Sequence, residues 1–480
     1  MGVSAMKKNV QTRFVYPFSN EMAAPPLDLA LLGGKGKNLA EMASIGLPVP
    51  PGFIISTEAC NAYRHQSRHF PEGLEEEVEQ KMLQLEEMMG LKFGSTDHPL
   101  LVSVRSGARA SMPGMMDTVL DLGMNDNAVK GFAAVTKNER LAYDSYRRFI
   151  TMFSDIVYSI SRKHFEQAFD VLKLQEKVEE DADLSVARLK EACEIFKKIF
   201  MQHTGREFPQ DAHEQLLLAI SAVFNSWDSE RAILYRQINQ IPDEWGTAVI
   251  VQSMVFGNKN EHSATGVGFT RDPASGENHF YGEFLPMAQG EEVVAGIRTP
   301  HPINLKQKAM TGSDLISLEE LMPEAYQNLL QIIDILEKHY SDMQDIEFTI
   351  DNGRLFMLQT RTGKRTGFAS VRMALEMLDE GLIDEETALK RVNPNDLAQL
   401  LAPIFNEQTK RKASNKLVAR GINAGPGAAS GRIAFTSDKA VEFQQQGFDC
   451  VLLREEANPT DFPGMVAAEG ILTKRGGSNS

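Results

Sequence analysis

The stretch DIEFTIDNGRLFMLQTR, residues 345–361, has the pattern of a β-hairpin. Successive side chains of a strand face opposite sides, so Asp345 and Glu347 share one face of the first arm. In the second arm Gln359 and Arg361 also share a face. Whether the two polar sets meet therefore depends on how the arms pair.

The length of the turn decides that pairing. A two-residue Asn-Gly turn would place Glu347 opposite Leu358 and leave Gln359 on the wrong face. A three-residue turn, residues 351–353, pairs Asp345 with Gln359 and gathers all four polar groups on one side. We predict the three-residue turn.

Such a face suits a metal-bound phosphate. Hard carboxylate oxygens of Asp345 and Glu347 suit Mg²⁺, which typically binds one or two carboxylates together with substrate phosphates. The guanidinium of Arg361 suits a phosphate, to which it can donate two parallel hydrogen bonds. A solvated sheet face with ordinary ion pairs explains the same residues equally well.

The composition sets outer bounds on function. A chain of 480 residues is long enough for two or three domains, and 42% apolar and 24% charged residues are typical of a globular protein. The net charge of -15 weighs against nucleic-acid binding. Three widely spaced cysteines favour a reducing, cytoplasmic setting, and the absence of an 18-residue apolar run predicts no membrane span.

The pattern along the chain predicts mixed α/β structure with distinct segments. Residues up to about 125 read as α/β, and about 125–224 read as a helical insertion with few glycines. Strands return near TAVIVQS, and residues 366–414 read as a helical linker that includes NPNDLAQLL. A Gly- and Ala-rich piece with short strands covers 415–480.

Two loops of the first part have phosphate-binding chemistry. LLGGKGKN, residues 31–38, is glycine-rich and basic but lacks the Walker A spacing, and we expect a helix to begin after it at Asn38. Lys35 or Lys37 offers a point charge there, although a surface turn is an alternative. In VRSGARASMPGMMDT, Arg105 follows a strand; a structural ion pair is the alternative.

Two further loops suggest nucleotide contacts. HSATGVGFTRDPASGE, residues 262–277, has the small, polar composition of a mobile lid, with a long hairpin loop as the competing interpretation. QGEEVVAGIRTP contains Glu291 and Glu292, which could accept hydrogen bonds from ribose hydroxyls. An exposed acidic pair is the commoner explanation.

Taken together, these stretches resemble the pyruvate phosphate dikinase family over nearly the whole chain. The motifs of the resemblance are GGKGKNLAEM (33–42), VPPGF (49–53), SVRSGARASMPGMMDTVLDLG (103–123), TGVGFTRDP (265–273), AQGEEVVAGIRTP (288–300), DIEF (345–348), MLQTRTGKRT (357–366) and GPGAASGRIAF (425–435).

The resemblance implies a domain plan and a reaction. It implies an ATP-grasp domain over about 1–365, split by the helical insertion, then the linker and a partial swivelling phosphohistidine domain. The implied reaction converts ATP, phosphate and pyruvate to AMP, pyrophosphate and phosphoenolpyruvate. Family members continue into a barrel that binds pyruvate, and dimerise through that missing part.

The resemblance also assigns site residues by motif. Lys35 and Arg105 would contact the triphosphate, Asp345 and Glu347 would hold Mg²⁺, and the phosphate oxygens would be held by Gln359 and Arg361. Glu291 and Glu292 match less closely as ribose or adenine contacts.

The last eight residues, TKRGGSNS, match the family stretch TxxGGxxSHAA up to the residue before its histidine. Thr473, Gly476, Gly477 and Ser480 are the matching positions. The resemblance implies that the phosphoacceptor histidine follows directly after Ser480, so that this chain alone is expected to bind ATP without transferring phosphate. A natural non-catalytic module that binds ATP or interacts with a dikinase is the alternative.

Overall fold

The protein is described here by a computed structural model that covers residues 13–294, 298–394, 405–419, 421, 427–456 and 458–475. The chain divides into two compact units, Met1–Met254 and Val255–Ser480. Within the described residues each unit contains a five-stranded sheet. The mixed α/β structure predicted from the sequence is confirmed, whereas the predicted domain boundaries stay a prediction.

The sheet of the first unit is antiparallel throughout. The strands of this unit are β1 (Val15–Phe18), β2 (Gly52–Ile55), β3 (Lys92–Phe93), β4 (Pro99–Leu100), β5 (Val102–Ala108), β6 (Thr118–Leu122) and β7 (Thr247–Ser253). The sheet order is β1-β2-β7-β5-β6, and β3 pairs separately with β4. Strand β7 lies at the centre because TAVIVQS is β-branched and wholly buried.

Helices surround this sheet and fill the predicted insertion. They are α1 (Leu29–Ser44), α2 (Thr57–His65), α3 (Leu74–Met89), α4 (Ala128–Thr136), α5 (Glu139–Tyr158), α6 (Arg162–Glu176), α7 (Val186–Thr204), α8 (Ala212–Ser226) and α9 (Glu230–Ile238). The ring centroid of Phe208 lies 5.8 Å from that of Phe149 in α5 and 5.3 Å from that of Phe200 in α7, and both contacts are edge-on. Aromatic packing of this kind joins the helices of the insertion.

Helix α1 begins earlier than the sequence predicted. The expected start at Asn38 is wrong, because Asp28 caps a helix that begins at Leu29 and accepts a hydrogen bond from the Ala30 amide at 2.7 Å. The helix is interrupted at Gly33, whose φ is 66° and ψ 171°. A β-carbon there would lie 1.7 Å from the carbonyl oxygen of Gly107 in β5, so the glycine permits close backbone contact.

The second unit contains the other antiparallel sheet, of order β10-β9-β8-β11-β12. Its strands are β8 (Ala264–Phe269), β9 (Tyr281–Pro286), β10 (His301–Pro302), β11 (Gln344–Asp351) and β12 (Arg354–Thr362). The helices between them are α10 (Gly290–Val294), α11 (Leu305–Thr311), α12 (Leu318–Leu321) and α13 (Pro323–Tyr340).

The predicted mobile lid over 262–277 is wrong in its first half, because β8 is a fully buried central strand. Its glycines are explained by packing rather than mobility. A β-carbon at Gly266 would lie 2.4 Å from the ring of Phe348, and one at Gly268 would lie 2.5 Å from the ring of Phe280. Small residues on this face of β8 make room for neighbouring aromatic rings.

The hairpin of β11 and β12 has a different register from the predicted one. Asp351 pairs with Arg354 around a two-residue turn, in which Asn352 and Gly353 have φ of 50° and 81°. The register then shifts between Glu347 and Phe348, where β12 contains one additional residue. The predicted three-residue turn is therefore wrong, since it left this β-bulge out.

The bulge nevertheless brings the same side chains together. Asp345 lies opposite Arg361, and Glu347 lies opposite Gln359. The additional residue is Leu358, which has no partner in the register. It reverses the alternation once and thereby cancels the effect of the shorter turn.

A buried charge cluster fixes the end of β8. Arg271 is fully buried, and its Nη2 lies 3.0 Å from Glu337 Oε2 of α13 while its Nη1 lies 3.1 Å from Glu380 Oε1. Burial alone would lower the pKa of this guanidinium, but the hydrogen bonds to the two glutamates raise it. The paired charges hold the strand end to helix α13.

The remaining elements follow the predicted linker and final piece. They are helices α14 (Gly367–Asp379), α15 (Glu385–Arg391) and α16 (Glu407–Lys412), then strands β13 (Arg432–Ala434), β14 (Cys450–Arg454) and β15 (Gly470–Thr473) with helices α17 (Ser437–Gln445) and α18 (Phe462–Ala467). The three strands are parallel. The predicted helix at NPNDLAQLL and the predicted family match over 476–480 lie largely or wholly outside the described residues.

None of the described helices combines the length and the apolar character needed to cross a membrane.

The close contact at Gly33 gives a stability prediction. Gly33→Ala combines a strained φ with a clash against backbone, so we expect it to lower the free energy of unfolding by at least about 2 kcal/mol more than a glycine replacement with strain alone. Gly90→Ala is the matched control, because its φ is 63° and nothing lies within 4 Å of its β-carbon. Urea unfolding of both variants measures the difference, and equal losses would contradict the contact.

Candidate functional site

Two polar pairs cross the hairpin on one face. Arg361 Nε donates to Asp345 Oδ2 at 2.8 Å, and Gln359 Nε2 donates to Glu347 Oε1 at 2.8 Å. The prediction that these four side chains converge is confirmed by these contacts, although the partners differ from those predicted. The structure thus gathers two carboxylates, a guanidinium and an amide on one face, within three successive residue pairs of the hairpin.

Burial makes it unfavourable to ionise a carboxyl on this face. Asp345 is only 7% exposed, and that burial raises the pKa of its carboxyl while the Arg361 guanidinium opposes the rise and nearby Glu347 adds to it. The side chain of Arg361 is 43% exposed, so its guanidinium is accessible from solvent. A cation placed between the two carboxylates would relieve the cost of ionising Asp345.

The rest of the sheet adds a third carboxylate to this face. Val267 of β8 lies opposite Glu347 on one side and opposite Glu283 of β9 on the other, so all three point the same way. Glu283 is buried, at 4% exposure. Glu283 was not predicted from the sequence, although a charged residue within the apolar strand YGEFLP was a usable signal.

Helix α10 lies over the same face and contains the predicted ribose residues Glu291 and Glu292. A β-carbon at Gly290 would lie 3.7 Å from Thr265 Oγ1 on β8, and Val293 packs against Val267 and Leu285. Helix α10 is therefore on the same side of the sheet as the carboxylates.

Glu292 has local partners. Its Oε1 accepts a hydrogen bond from the Gln289 amide at 3.4 Å, and its Oε2 lies 3.5 Å from Arg298 Nη1. The exposed acidic pair offered as the alternative does not describe Glu292, whose side chain is 14% exposed.

The other two predicted phosphate residues belong to the first unit. Arg105 lies in β5 and donates through Nη2 to the side-chain oxygen of Gln252 in β7. Arg105 shares its face of the sheet with Gly107, the residue that contacts the glycine break of α1. Lys35 lies two residues after that break, so both cations belong to touching segments.

Gln252 is a second residue that the sequence analysis missed. It is buried at 1% exposure, and its Nε2 donates to the Pro50 carbonyl at 2.8 Å. The signal was a polar side chain inside TAVIVQS, an otherwise apolar strand. With its amide held by Pro50, its oxygen is oriented toward Arg105 rather than free to rotate.

The structure brings the predicted residues together in two separate groups. Asp345, Glu347, Gln359 and Arg361 form the group of the second unit, and Lys35 with Arg105 forms the group of the first. Among the described residues no set of three or more His, Cys, Asp or Glu is arranged as a metal cage. The hairpin offers two carboxylates, which is a donor set for Mg²⁺ that keeps phosphate and water ligands.

Comparison with known proteins places this geometry in a family. The family model described as pyruvate phosphate dikinase, AMP/ATP-binding domain, matches residues 29–70, 65–320 and 307–382. The chain is 50% identical to the pyruvate, phosphate dikinase of Clostridium symbiosum over 451 residues, which are 94% of this chain and 50% of that protein.

Other relatives give the same result. The chain is 49% identical to the Rhizobium meliloti pyruvate, phosphate dikinase over 98% of its own length and 52% of the relative's. It is 51% identical to the chloroplastic pyruvate, phosphate dikinase 1 of Arabidopsis thaliana over 94% of its own length and 45% of the relative's. The chain spans about half the length of these curated relatives. Since the family model matches most of the sequence, the chain belongs to the pyruvate phosphate dikinase AMP/ATP-binding domain family.

Proposed function

We propose that this chain is the Mg·ATP-binding part of a pyruvate, phosphate dikinase. The observation that supports this most is the hairpin, where Asp345 and Glu347 share a buried face with Arg361 and Gln359 at hydrogen-bond distance. Family membership also supports nucleotide binding, because the matching family model is that of an AMP/ATP-binding domain.

In this proposal the four hairpin residues exchange partners when the nucleotide binds. Asp345 and Glu347 would hold Mg²⁺, and Arg361 and Gln359 would bind phosphate oxygens. Bound Mg²⁺ would neutralise charge on the phosphates during transfer. The exposure of Arg361 supports the exchange, since its guanidinium reaches solvent without rearrangement of the backbone.

Lys35 and Arg105 are proposed as further contacts to the triphosphate. The glycine break of α1 lets backbone approach a phosphate, and Gln252 holds Arg105 in a defined orientation. Glu291 and Glu292, on the helix above the carboxylate face, would accept hydrogen bonds from ribose or adenine.

We further propose an ATP-grasp fold over about 1–365, a linker over 366–414 and part of a phosphohistidine domain over 415–480. The antiparallel sheet of β8 to β12, the helices α14 and α15 and the parallel strands β13 to β15 support these assignments. The whole dikinase would use ATP, phosphate and pyruvate to form AMP, pyrophosphate and phosphoenolpyruvate, as a cytoplasmic homodimer.

The first prediction concerns nucleotide affinity. Glu347→Ala removes a proposed metal ligand, and Arg361→Ala removes a proposed hydrogen-bond donor to phosphate oxygens. We therefore expect each replacement to weaken Mg·ATP binding by about ten-fold or more. Magnesium should strengthen ATP binding to the parent chain but have little effect in Glu347→Ala. Isothermal titration calorimetry with and without Mg²⁺ measures both effects.

Arg354→Ala is the matched control, because Arg354 is an exposed arginine of the same strand, next to the turn and away from the carboxylates. It should bind Mg·ATP like the parent. Binding by the parent that is unaffected by all three replacements would place the nucleotide elsewhere and contradict the proposal.

The second prediction concerns pH. Because burial raises the pKa of Asp345 above its ordinary value of 3.8, the ligand-free chain binds this proton more tightly when folded than when unfolded. The stabilisation from that proton is present at low pH and is lost as the pH rises through the raised pKa. The ligand-free parent should therefore lose stability relative to Asp345→Asn as the pH rises above about 4.

Urea unfolding of the two proteins at several pH values tests this. If Mg·ATP binds at Asp345, adding it at the upper pH should restore stability to the parent and much less to Asp345→Asn. A difference between the two proteins that does not change with pH would contradict the assigned cost of ionising Asp345.

A further inference from the structure

Arg109 has a different environment from the paired arginines around it. Its guanidinium carbon lies 5.5 Å from the ring centroid of Trp245, over the ring face. Its Nε is buried and has no hydrogen-bond partner. In the part of the chain that the structure describes, Arg109 forms neither a hydrogen bond nor an ion pair.

Two other arginines of the same unit, Arg231 and Arg236, are neutralised by carboxylates. Arg231 pairs with Asp117 and donates through Nε to the Met115 carbonyl, while Arg236 lies over the ring of Trp227 and also pairs with Asp243. Arg109 is stacked on a tryptophan as Arg236 is, but without the carboxylate. A buried donor without an acceptor is unfavourable and is usually explained by a ligand or solvent partner.

The position of Arg109 points to the kind of acceptor. Arg109 directly follows strand β5, four residues after Arg105, and its carbonyl oxygen would lie 3.5 Å from a β-carbon at Gly34. The glycine break of α1 thus passes over the end of β5, next to Lys35. Two touching segments thus contain Lys35, Arg105 and Arg109 together with a glycine-rich backbone.

This combination suits a phosphate rather than an isolated carboxylate. Glycine-rich backbone lets amide groups approach phosphate oxygens, and a guanidinium binds two of those oxygens side by side. The Trp245 ring lies against the guanidinium of Arg109 without supplying a hydrogen-bond acceptor to its Nε. Lys35 and Arg105, in the same two touching segments, add positive charge.

We propose that Arg109 binds a phosphate group at the glycine break of α1, as a third cation beside Lys35 and Arg105. The group is either a terminal phosphate of ATP or free inorganic phosphate, which share this chemistry. The inference rests on the proposed function and adds to it a residue for which neither the motif assignment nor the hairpin geometry provides a role.

The test uses Trp245 as a reporter on the full 480-residue chain. The chain contains two tryptophans, and Trp227 is fully buried, so a fluorescence change on phosphate binding comes mainly from Trp245. Parent, Arg109→Gln and Arg109→Lys are titrated with inorganic phosphate, Mg·ATP and AMP, by fluorescence and by calorimetry. Thermal unfolding checks that each variant is folded.

We expect Arg109→Gln to weaken binding of the ligand that supplies the phosphate, either Mg·ATP or inorganic phosphate, by about ten-fold. AMP binding should stay within about two-fold of the parent. Arg109→Lys should keep part of the affinity, since it keeps the charge but not the fork. Loss confined to inorganic phosphate identifies the free ion, and loss confined to Mg·ATP identifies a nucleotide phosphate. Arg231→Gln, which also removes one positive charge but from a neutralised pair, should bind like the parent.

The outcomes separate this inference from the proposed function. If the parent binds Mg·ATP and Arg109→Gln binds both phosphate sources equally well, the role of Arg109 is refuted while the proposed function stands. If Arg231→Gln loses as much affinity as Arg109→Gln, the effect is one of net charge and the site is refuted. A parent that binds neither Mg·ATP nor phosphate would overturn both.

Discussion

The two polar pairs across the hairpin depend on a single additional residue in β12. With a two-residue turn at Asn352 and Gly353, simple alternation would turn Gln359 and Arg361 away from the carboxylates. Leu358, at the bulge, reverses the alternation midway along the hairpin. The site proposed on the carboxylate face depends on this reversal of the side-chain alternation.

The buried carboxylate explains why the face is organised in pairs. Burial raises the pKa of Asp345, and only a nearby positive charge makes its ionised form acceptable. In the ligand-free chain that charge comes from Arg361 at 2.8 Å. An arrangement already balanced by a guanidinium is suited to accept a metal ion and a phosphate together, because the incoming charges replace the existing pair without leaving either group unpaired.

Much of the fold was predictable because it follows from local patterns. The buried strand TAVIVQS and the helices of the insertion follow from periodicity, whereas the four hairpin side chains converge through a bulge that replaces the predicted turn. The bulge was not predictable, since an additional residue in a strand leaves no mark in the alternation of a short segment. The start of α1 was missed because glycines at 33 and 34 suggested a loop, whereas Asp28 caps a helix that continues past the break.

The lid prediction failed for a related reason. Gly266 and Gly268 are required by close contact with the rings of Phe348, in β11, and Phe280, directly before β9. Composition alone does not distinguish a glycine that moves from one that is closely packed. Glu283 and Gln252 were missed although each is a polar residue in an apolar strand, a signal that deserves the same weight as a glycine-rich loop.

The most direct test of the central claim is a crystal structure of this chain with Mg²⁺ and a non-hydrolysable ATP analogue. We expect density for the metal at about 2.1 Å from carboxylate oxygens of Asp345 and Glu347. The Arg361 guanidinium should have moved from Asp345 to a phosphate oxygen. A metal and triphosphate bound away from the hairpin, with the Asp345–Arg361 and Glu347–Gln359 pairs intact, would contradict the account.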